Sequence, residues 1–193
     1  MYLTKLSLDA AYCHRQKIVD DYSVHRVVYS FFPEENKPRF LYVDHGVIAG
    51  KRELLILSSL IPELPDDLPG STRQIGEHFF SFTQYRFEII LNPVKSVPRS
   101  NKREPIIGQL PLLTYFTERM KKWGFESDLE TLQVFTLPSM CFVKKGQSCR
   151  MHKVKFRGVL QVTDPALFRQ SFESGIGHGK AFGFGMLQLV PIQ

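Results

Sequence analysis

Two residues three positions apart, Tyr22 and His25, are the first candidates for chemistry in this 193-residue chain. A histidine can take or give a proton near neutral pH, and residues at i and i+3 are neighbours on a helix. At about 100° per residue, Val24, Val27 and Val28 form an apolar face, and both candidates fall away from it. We therefore expect His25 and Tyr22 on an exposed face of an amphipathic helix. The simpler alternative is a histidine that is structural or merely exposed and has no chemical role.

Together with nearby lysines, such a pair supports one reaction that needs no metal, the cleavage of RNA. The RNA 2′-hydroxyl attacks its own adjacent phosphate, a histidine moves a proton, and a cation stabilises the transition state. DNA lacks this hydroxyl, so the mechanism selects RNA. The six histidines form no His-x-x-x-His pair, and the acid pairs Asp20-Asp21 and Asp66-Asp67 lie in turn-like contexts. We therefore expect no metal and no cofactor.

A second candidate is the glycine-rich segment 175–185, which holds five glycines around His178 and Lys180. Glycine permits positive φ and exposes backbone N–H groups, so this segment could wrap closely around a phosphate backbone. The alternative is a mobile surface loop before the last strand. A P-loop is excluded because Ser174 stands where its first glycine belongs and Ala181 follows the lysine.

The net charge of +6 is concentrated in the second half of the chain. Residues 1–90 hold ten Lys or Arg against twelve Asp or Glu, whereas residues 91–193 hold fifteen against seven. No acid stands between Thr131 and Thr163 or between Ile89 and Arg103. The first stretch carries Lys144, Lys145, Arg150, Lys153, Lys155 and Arg157, and the second includes Lys95. This pattern favours a nucleic acid partner over a basic face that is merely solvated.

Composition excludes several other classes of protein. A hydrophobic content of 43% is enough for a packed core, and no run of eighteen apolar residues predicts a membrane span. The three cysteines are an odd number and form no Cys-x-x-Cys motif, which argues against a zinc ribbon or a disulfide scaffold. Cysteine usage of this kind indicates a reducing compartment, so we expect a cytoplasmic protein.

The first half of the chain predicts the order β-α-β-β-(α)-β. Alternation and breakers place its strands at Tyr2–Leu8, Phe40–Asp44, Glu53–Ser59 and Gln84–Leu91. A helix is predicted at about Tyr22–Phe32, with Asp20-Asp21 as its cap candidates, and a short element that could be helical at Thr72–Glu77. This is the order of a ferredoxin-like domain.

The second half repeats this order more loosely. Its predicted elements are an extended segment at Val94–Val97, helices at Leu110–Trp123 and Pro165–Ser174, and strands at Leu132–Leu137, Ser139–Val143, Met151–Val162 and Met186–Val190, with Lys144–Arg150 as a basic hairpin loop. The sequence therefore predicts an α+β protein of two tandem ferredoxin-like (RRM-like) βαββαβ domains. We expect them at residues 1–91 and 106–193, with a linker at 92–105.

With these elements in place, the chain resembles the CasE endoribonucleases, CRISPR-associated subunits of the Cascade complex in subtype I-E systems. The similarity is carried by Met1–Lys5, Tyr22–Pro33, Phe87–Lys95, Phe156–Leu160 and the glycine-rich segment through Leu187. The combination of Tyr-x-x-His on the first helix with this terminal segment is specific, whereas either one alone is weak.

The resemblance implies metal-independent cleavage at the 3′ base of a CRISPR repeat RNA hairpin, which leaves 5′-hydroxyl and 2′,3′-cyclic phosphate ends. It also implies that the enzyme stays on the guide RNA with other Cascade subunits. By position, His25 matches the catalytic histidine and Tyr22 its supporting tyrosine. The basic stretch Lys144–Arg157 matches the region that grips the stem and supplies an auxiliary cation, for which Lys153, Lys155 and Arg150 are the candidates. The expected RNA-binding residues are Arg26, Lys95, Lys144, Lys145, Arg150, Arg157, Gly177, His178, Gly179 and Lys180.

Three alternatives stay open at this point. The first is a non-catalytic RNA-hairpin-binding subunit of the same superfamily. The second is a general single-strand RNA binder, which is disfavoured because such modules carry their Gly and aromatic signatures on central strands. The third is a metal-dependent nuclease, which needs clustered carboxylates that the sequence does not suggest.

Overall fold

The protein is described here from a computed structural model, which covers residues 1–33, 38–99, 103–144 and 147–192. Its elements in chain order are β1 Tyr2–Leu8, α1 Ala10–Arg15, α2 Asp21–Ser30, β2 Phe40–Ile48, β3 Lys51–Ser58, β4 Gly70–Gln74, β5 Gln84–Leu91, β6 Val94–Ser96, β7 Arg103–Pro105, α3 Gln109–Met120, β8 Phe125–Ser127, β9 Gln133–Lys144, β10 Gln147–Val162, α4 Pro165–Ser174 and β11 Gln188–Pro191. Short 3₁₀ turns lie at Glu77–Phe80, Lys121–Trp123 and Lys180–Phe182. Among the described helices, none has the length and hydropathy to span a membrane.

Two antiparallel sheets organise the chain. The first has the strand order β2-β3-β1-β4, and the second has the order β11-β5-β10-β8, with β9 also paired to β10. Strands β6 and β7 form a separate short hairpin. Apolar residues face each other along these ladders, as in the pair Leu6 and Leu54 and the pair Phe156 and Ile89. The predicted α+β class is confirmed.

Strand β5 lies in the second sheet, so its predicted place as the last strand of the first domain is wrong. It pairs with β10 and β11. Its alternating Tyr85, Phe87 and Ile89 identify a strand with one buried face, but alternation does not specify which sheet that face covers. The position of a domain boundary stays a prediction.

The fourth strand of the first sheet is instead β4, a segment for which a helical element had been considered. All five of its residues are exposed, so it shows no apolar alternation. It is held by backbone pairing to β1, in which Lys5 lies opposite Ser71. An edge strand of this kind leaves little trace in the sequence.

Strands β9 and β10 form one long hairpin. The two strands predicted around Pro138 merge into β9, and the partner strand shifts register between Met151 and Lys153 at the same level. A proline has no N–H to donate, and an edge strand with a bulge opposite it accommodates that loss. The basic loop predicted at 144–150 is wrong, because Gln147 already pairs with Lys144.

The core is divided among the faces of the two sheets. Helices α1 and α2 cover the first sheet through a buried cluster that includes Val24, Val28 and Ile56. Helices α3 and α4 cover the second sheet, where the rings of Phe116 and Phe156 stack with centroids 4.5 Å apart. A third, smaller cluster lies where α2 meets the second sheet and consists of Ile90, Met140, Phe142 and Phe184, with Tyr22 and Phe182 packed against it.

The glycine-rich segment 175–185 is a packed connection and not a mobile surface loop. Ile176 and Phe184 are fully buried in it. The Gly185 amide donates to the Ile90 carbonyl at 2.8 Å, and the Ile176 amide donates to the Gly185 carbonyl at 2.8 Å. A Cβ at Gly185 would lie 2.1 Å from the Ile176 carbonyl oxygen. Close backbone approach within the protein is therefore one physical reason for glycine here.

Replacing Gly185 with alanine is expected to destabilise the fold by about 2–4 kcal/mol, because the new Cβ adds a backbone clash to a strained φ of +81°. The measurement is the free energy of unfolding from urea titration. Gly50→Ala is the matched control, since Gly50 has the same φ but nothing within 4 Å of the added Cβ. It should cost only about 1–2 kcal/mol. Equal losses in the two variants would contradict the role given to the close approach.

Candidate active site

Helix α2 begins at a fully formed capping box. The Asp20 carboxylate accepts from the Ser23 amide at 2.7 Å, and the Ser23 hydroxyl oxygen accepts from the Asp20 amide at 2.9 Å. These bonds satisfy N–H groups that the first turn of a helix leaves without partners. The cap fixes where the helix starts, and it therefore fixes the positions of Tyr22 in the first turn and of His25 in the next.

The Tyr22 and His25 rings lie at the junction between α2 and the second sheet. Their centroids are 5.9 Å apart. Tyr22 stacks nearly parallel on Phe142 of β9 at 5.5 Å, and His25 packs against Phe182 of the glycine-rich segment at 5.3 Å. Both candidates are half-buried, so the prediction of an exposed face is wrong. The apolar face of α2 indicates only which side of the helix packs on the first sheet. The opposite side of α2 packs on the second sheet.

Lys153 reaches the first turn of α2 from β10. Its Nζ lies 2.9 Å from the Asp21 Oδ1, so the pair joins helix α2 to the second sheet at the residue before Tyr22. Arg52 Nη2 lies 3.8 Å from the same oxygen and 2.5 Å from Asp44 Oδ2. Cations and anions thus alternate in one partly buried network of ion pairs, in the order Lys153, Asp21, Arg52 and Asp44. The structure therefore joins one of the predicted catalytic cations to the helix that carries Tyr22 and His25.

Lys155 does not reach this place. Its Nζ pairs with Glu88 of β5 at 3.0 Å, and with Arg157 it lines a cleft of about 1010 Å³ that also contacts the first sheet at Leu3. Neither Tyr22 nor His25 lines that cleft. Of these two predicted cations, Lys153 is therefore the one that contacts the helix carrying His25.

The remaining basic candidates spread over the surface. Arg26 and Arg150 are exposed, Arg157 lies over the Phe135 ring at 4.8 Å, and Lys95 faces Glu104 at 3.9 Å within the β6–β7 hairpin. Lys145 and the side chain of Lys144 lie outside the described residues. The described members of this set lie on separate elements, with Arg26 on α2, Lys95 on β6, and Arg150 and Arg157 on β10.

In the glycine-rich segment, His178 and Lys180 lie within a group of cations. Arg103 Nη1 lies 3.4 Å from His178 Nδ1, and Lys180 Nζ donates to the Ser174 carbonyl at 2.9 Å, at the end of α4. Burial and the charges of Arg103 and Lys180 lower the pKa of His178. Burial and the charge of Arg39 lower the pKa of Lys180. Gly177 and Gly179 flank His178 at positive φ.

Metal ligands are not gathered in the described part of the chain, where no three His, Cys, Asp or Glu side chains form a group that could hold an ion. The chemistry that the described site supports is proton transfer by His25 beside a phenol, together with stabilisation of an anion by Lys153.

Comparison with known proteins now assigns the chain. The sequence profile described as CRISPR associated protein matches residues 1–191. The chain belongs to the CRISPR associated protein family. Two relatives align with this member over essentially their full lengths. The CRISPR system Cascade subunit CasE of Escherichia coli is 24% identical over 206 residues, covering 100% of both chains. The CRISPR-associated endoribonuclease Cse3 of Thermus thermophilus is 23% identical over 211 residues, covering 99% of this chain and 100% of the relative.

The fold of this family member is also similar to a solved structure of CRISPR endoribonuclease Cse3 bound to a 19-nucleotide RNA. The TM-score is 0.86 at 22% identity, and the match covers 99% of this chain and 100% of the other. The resemblance to CasE endoribonucleases that the motifs predicted is therefore confirmed.

Three residues of the candidate site were not predicted from the sequence. Phe142 and Phe182 are 120 and 160 positions from Tyr22, and nothing local marks either as part of a site. Asp21 had been considered only as a helix cap, yet Asp20 is the capping residue and Asp21 binds Lys153. A sequence carries no local signal for contacts of this kind.

The pKa of His178 is expected below its ordinary value of 6.5, and Arg103→Gln should raise it because a facing cation is removed. Burial, the larger cause, remains in that variant, so the rise should be partial. Protonation of His178 is less favourable in the folded state than in the unfolded state. The free energy of unfolding should therefore decrease as the pH falls from 6.5 towards the lower pKa of the folded state. Proton NMR titration measures the shift, with the resonance assigned from His178→Gln. Lys95→Gln on the same hairpin should leave it unchanged, and an equal rise in both variants would contradict a direct effect of Arg103.

Proposed function

We propose that this protein is a metal-independent endoribonuclease, which cleaves CRISPR precursor RNA at the base of the repeat hairpin and stays bound to the mature guide RNA. The observation that carries the proposal is the junction of α2 with the second sheet. There, His25 and Tyr22 pack against Phe142 and Phe182, and Lys153 is held 2.9 Å from the neighbouring Asp21. Membership in the CRISPR associated protein family adds the substrate class.

The reaction is an internal transesterification. The 2′-oxygen bonds to the adjacent phosphorus as the bond to the 5′-oxygen breaks, which produces a 2′,3′-cyclic phosphate and a 5′-hydroxyl. His25 moves the proton, either from the 2′-hydroxyl or to the leaving oxygen, and such assistance contributes about 10²–10⁴-fold. The Tyr22 ring holds the His25 ring in place, and the Lys153 ammonium stabilises the extra negative charge on the phosphate.

The two sheets are proposed as tandem ferredoxin-like domains. In the first half, the strands lie in the order β2-β3-β1-β4. In the second half, β11 pairs with β5, β5 pairs with β10, and β10 pairs with β9. In each half, the last strand in the chain therefore lies beside the first. Two helices cover one face in each half. The pairing supports counting residues from β5 onward with the second domain.

Hairpin RNA is the expected ligand because its shape suits an extended basic surface. A-form RNA exposes phosphates and 2′-hydroxyls but hides the major groove from most side chains. The acid-free hairpin β9–β10, with Arg150 exposed, and the loop carrying His178 and Lys180 are the proposed stem-binding elements. Many phosphate contacts should make the affinity strongly dependent on salt.

The proposed setting is the cytoplasm, where the protein would carry its guide RNA into a Cascade complex with other subunits. The relative named Cascade subunit CasE aligns with this chain over the full length of both, which supports the same setting for this chain.

Replacing His25 with alanine is expected to lower the cleavage rate of a labelled repeat hairpin in EDTA by at least about 10²-fold, because proton transfer is lost. The Kd for a copy with a 2′-deoxy nucleotide before the cut should change by only a few-fold. His14→Ala, an exposed histidine on α1, is the matched control and should cleave normally.

Three outcomes would contradict this assignment. Cleavage of the 2′-deoxy copy would exclude attack by the 2′-hydroxyl. Equal loss of cleavage and affinity in His25→Ala would make His25 a binding residue. No cleavage by the wild-type protein despite tight binding would favour a non-catalytic hairpin-binding subunit.

A further inference from the structure

The contact between Asp21 and Lys153 is the shortest link between the candidate catalytic helix and the second sheet among the described ion pairs. Asp21 immediately precedes Tyr22, and Lys153 lies 132 residues later on β10. Their side chains are only 24% and 19% exposed, so solvent screens the pair less than it would at the surface. The pair therefore ties the position of an ammonium group to the helix that carries His25.

The carboxylate is the fixed partner in this pair. Asp21 stands in the first turn of a capped helix, where the helix dipole favours a negative charge. Arg52 approaches the same oxygen and is itself held by Asp44 at 2.5 and 2.9 Å. Lysine, by contrast, has a flexible stem and a point charge that takes many positions unless something holds it.

We propose that Asp21 is a positioning residue, which holds the Lys153 ammonium at the first turn of the helix that carries Tyr22 and His25, so that the ammonium contacts the scissile phosphate. This inference rests on the proposed function. An ammonium has three N–H donors, so two remain for phosphate oxygens while Asp21 accepts one. A preorganised cation needs no reorganisation as charge develops in the transition state.

A competing effect has the opposite sign. The Asp21 carboxylate partly neutralises Lys153 and repels phosphate, so its removal could strengthen RNA binding. Positioning outweighs this effect because the pair is short and partly buried, and because Arg52 offsets the charge of the same carboxylate. The two effects predict different changes in rate and affinity, which makes them separable.

The test compares Asp21→Asn, Asp21→Glu, Lys153→Met and the double variant Asp21→Asn/Lys153→Met. Asp20→Asn is the matched control, since it removes the same charge one residue earlier, keeps a good helix cap and does not touch Lys153. Three quantities are measured for each protein: the single-turnover cleavage rate of the repeat hairpin at saturating protein, the Kd for the 2′-deoxy hairpin, and the urea midpoint of unfolding.

Asp21→Asn should lower the rate by about 10- to 100-fold with Kd changed less than about threefold, the range typical of misplaced catalytic groups. Asp21→Glu, which keeps the charge, should recover most of the rate. The double variant should be no slower than Lys153→Met, because both single changes remove the same interaction. Asp20→Asn should stay within about twofold of the wild type, since it leaves the pair intact.

Three results would overturn the inference. They are an unchanged rate in Asp21→Asn, a tighter Kd together with a faster rate, and additive losses in the double variant. A fall in rate that follows the unfolding midpoint and is not rescued by glutamate would assign Asp21 a structural role only. The wild-type protein separates the two proposals. If the wild-type protein does not cleave the hairpin, the proposed function is refuted. If it cleaves normally and Asp21→Asn cleaves at the same rate, only the positioning role is refuted.

Discussion

The contact between helix α2 and the second sheet is the constraint on which the candidate site depends. The inner face of the helix is buried on the first sheet through Val24 and Val28, whereas its outer face carries Tyr22 and His25 against Phe142 and the glycine-rich segment. Neither sheet alone would hold the two rings half-buried. Any change that separates the sheets would expose His25 and withdraw Lys153 at the same time.

The glycine-rich segment performs two tasks in this arrangement. Its buried part, at Ile176 and Phe184, packs between the sheets and needs glycine because backbone and side chains of neighbouring elements approach closely. Its outward part carries His178 and Lys180 among other cations, while Phe182 packs against His25. The segment thus links the fold of the two sheets to the surface proposed for RNA.

The basic side chains of this protein have two kinds of surroundings. Lys153 and Lys155 each lie within about 3 Å of a carboxylate and are held in place by it. His178 and Arg103 face each other instead, and burial together with the charges of Arg103 and Lys180 lowers the pKa of the histidine. Held cations suit a defined place in a reaction, whereas a group of cations suits attraction of a polyanion. The net charge of the second half does not distinguish these two uses.

Much of this protein could be predicted from local patterns. Alternation identified β1, β5 and β10, the Asp20 cap marked the start of α2, and the motifs around His25 and Gly175 identified the family. These features are local because a strand, a cap or a motif depends on neighbours within a few residues.

Only the tertiary structure decided which elements meet. It placed β5 in the second sheet, made β4 an edge strand held by backbone pairing, and paired Lys155 with Glu88 of β5 and not with helix α2. It also brought Asp21 to a lysine 132 residues away. The physical reason is that periodicity specifies which face of an element is buried but not what buries it. Ion pairs and ring contacts between distant segments therefore arise only when the sheets pack.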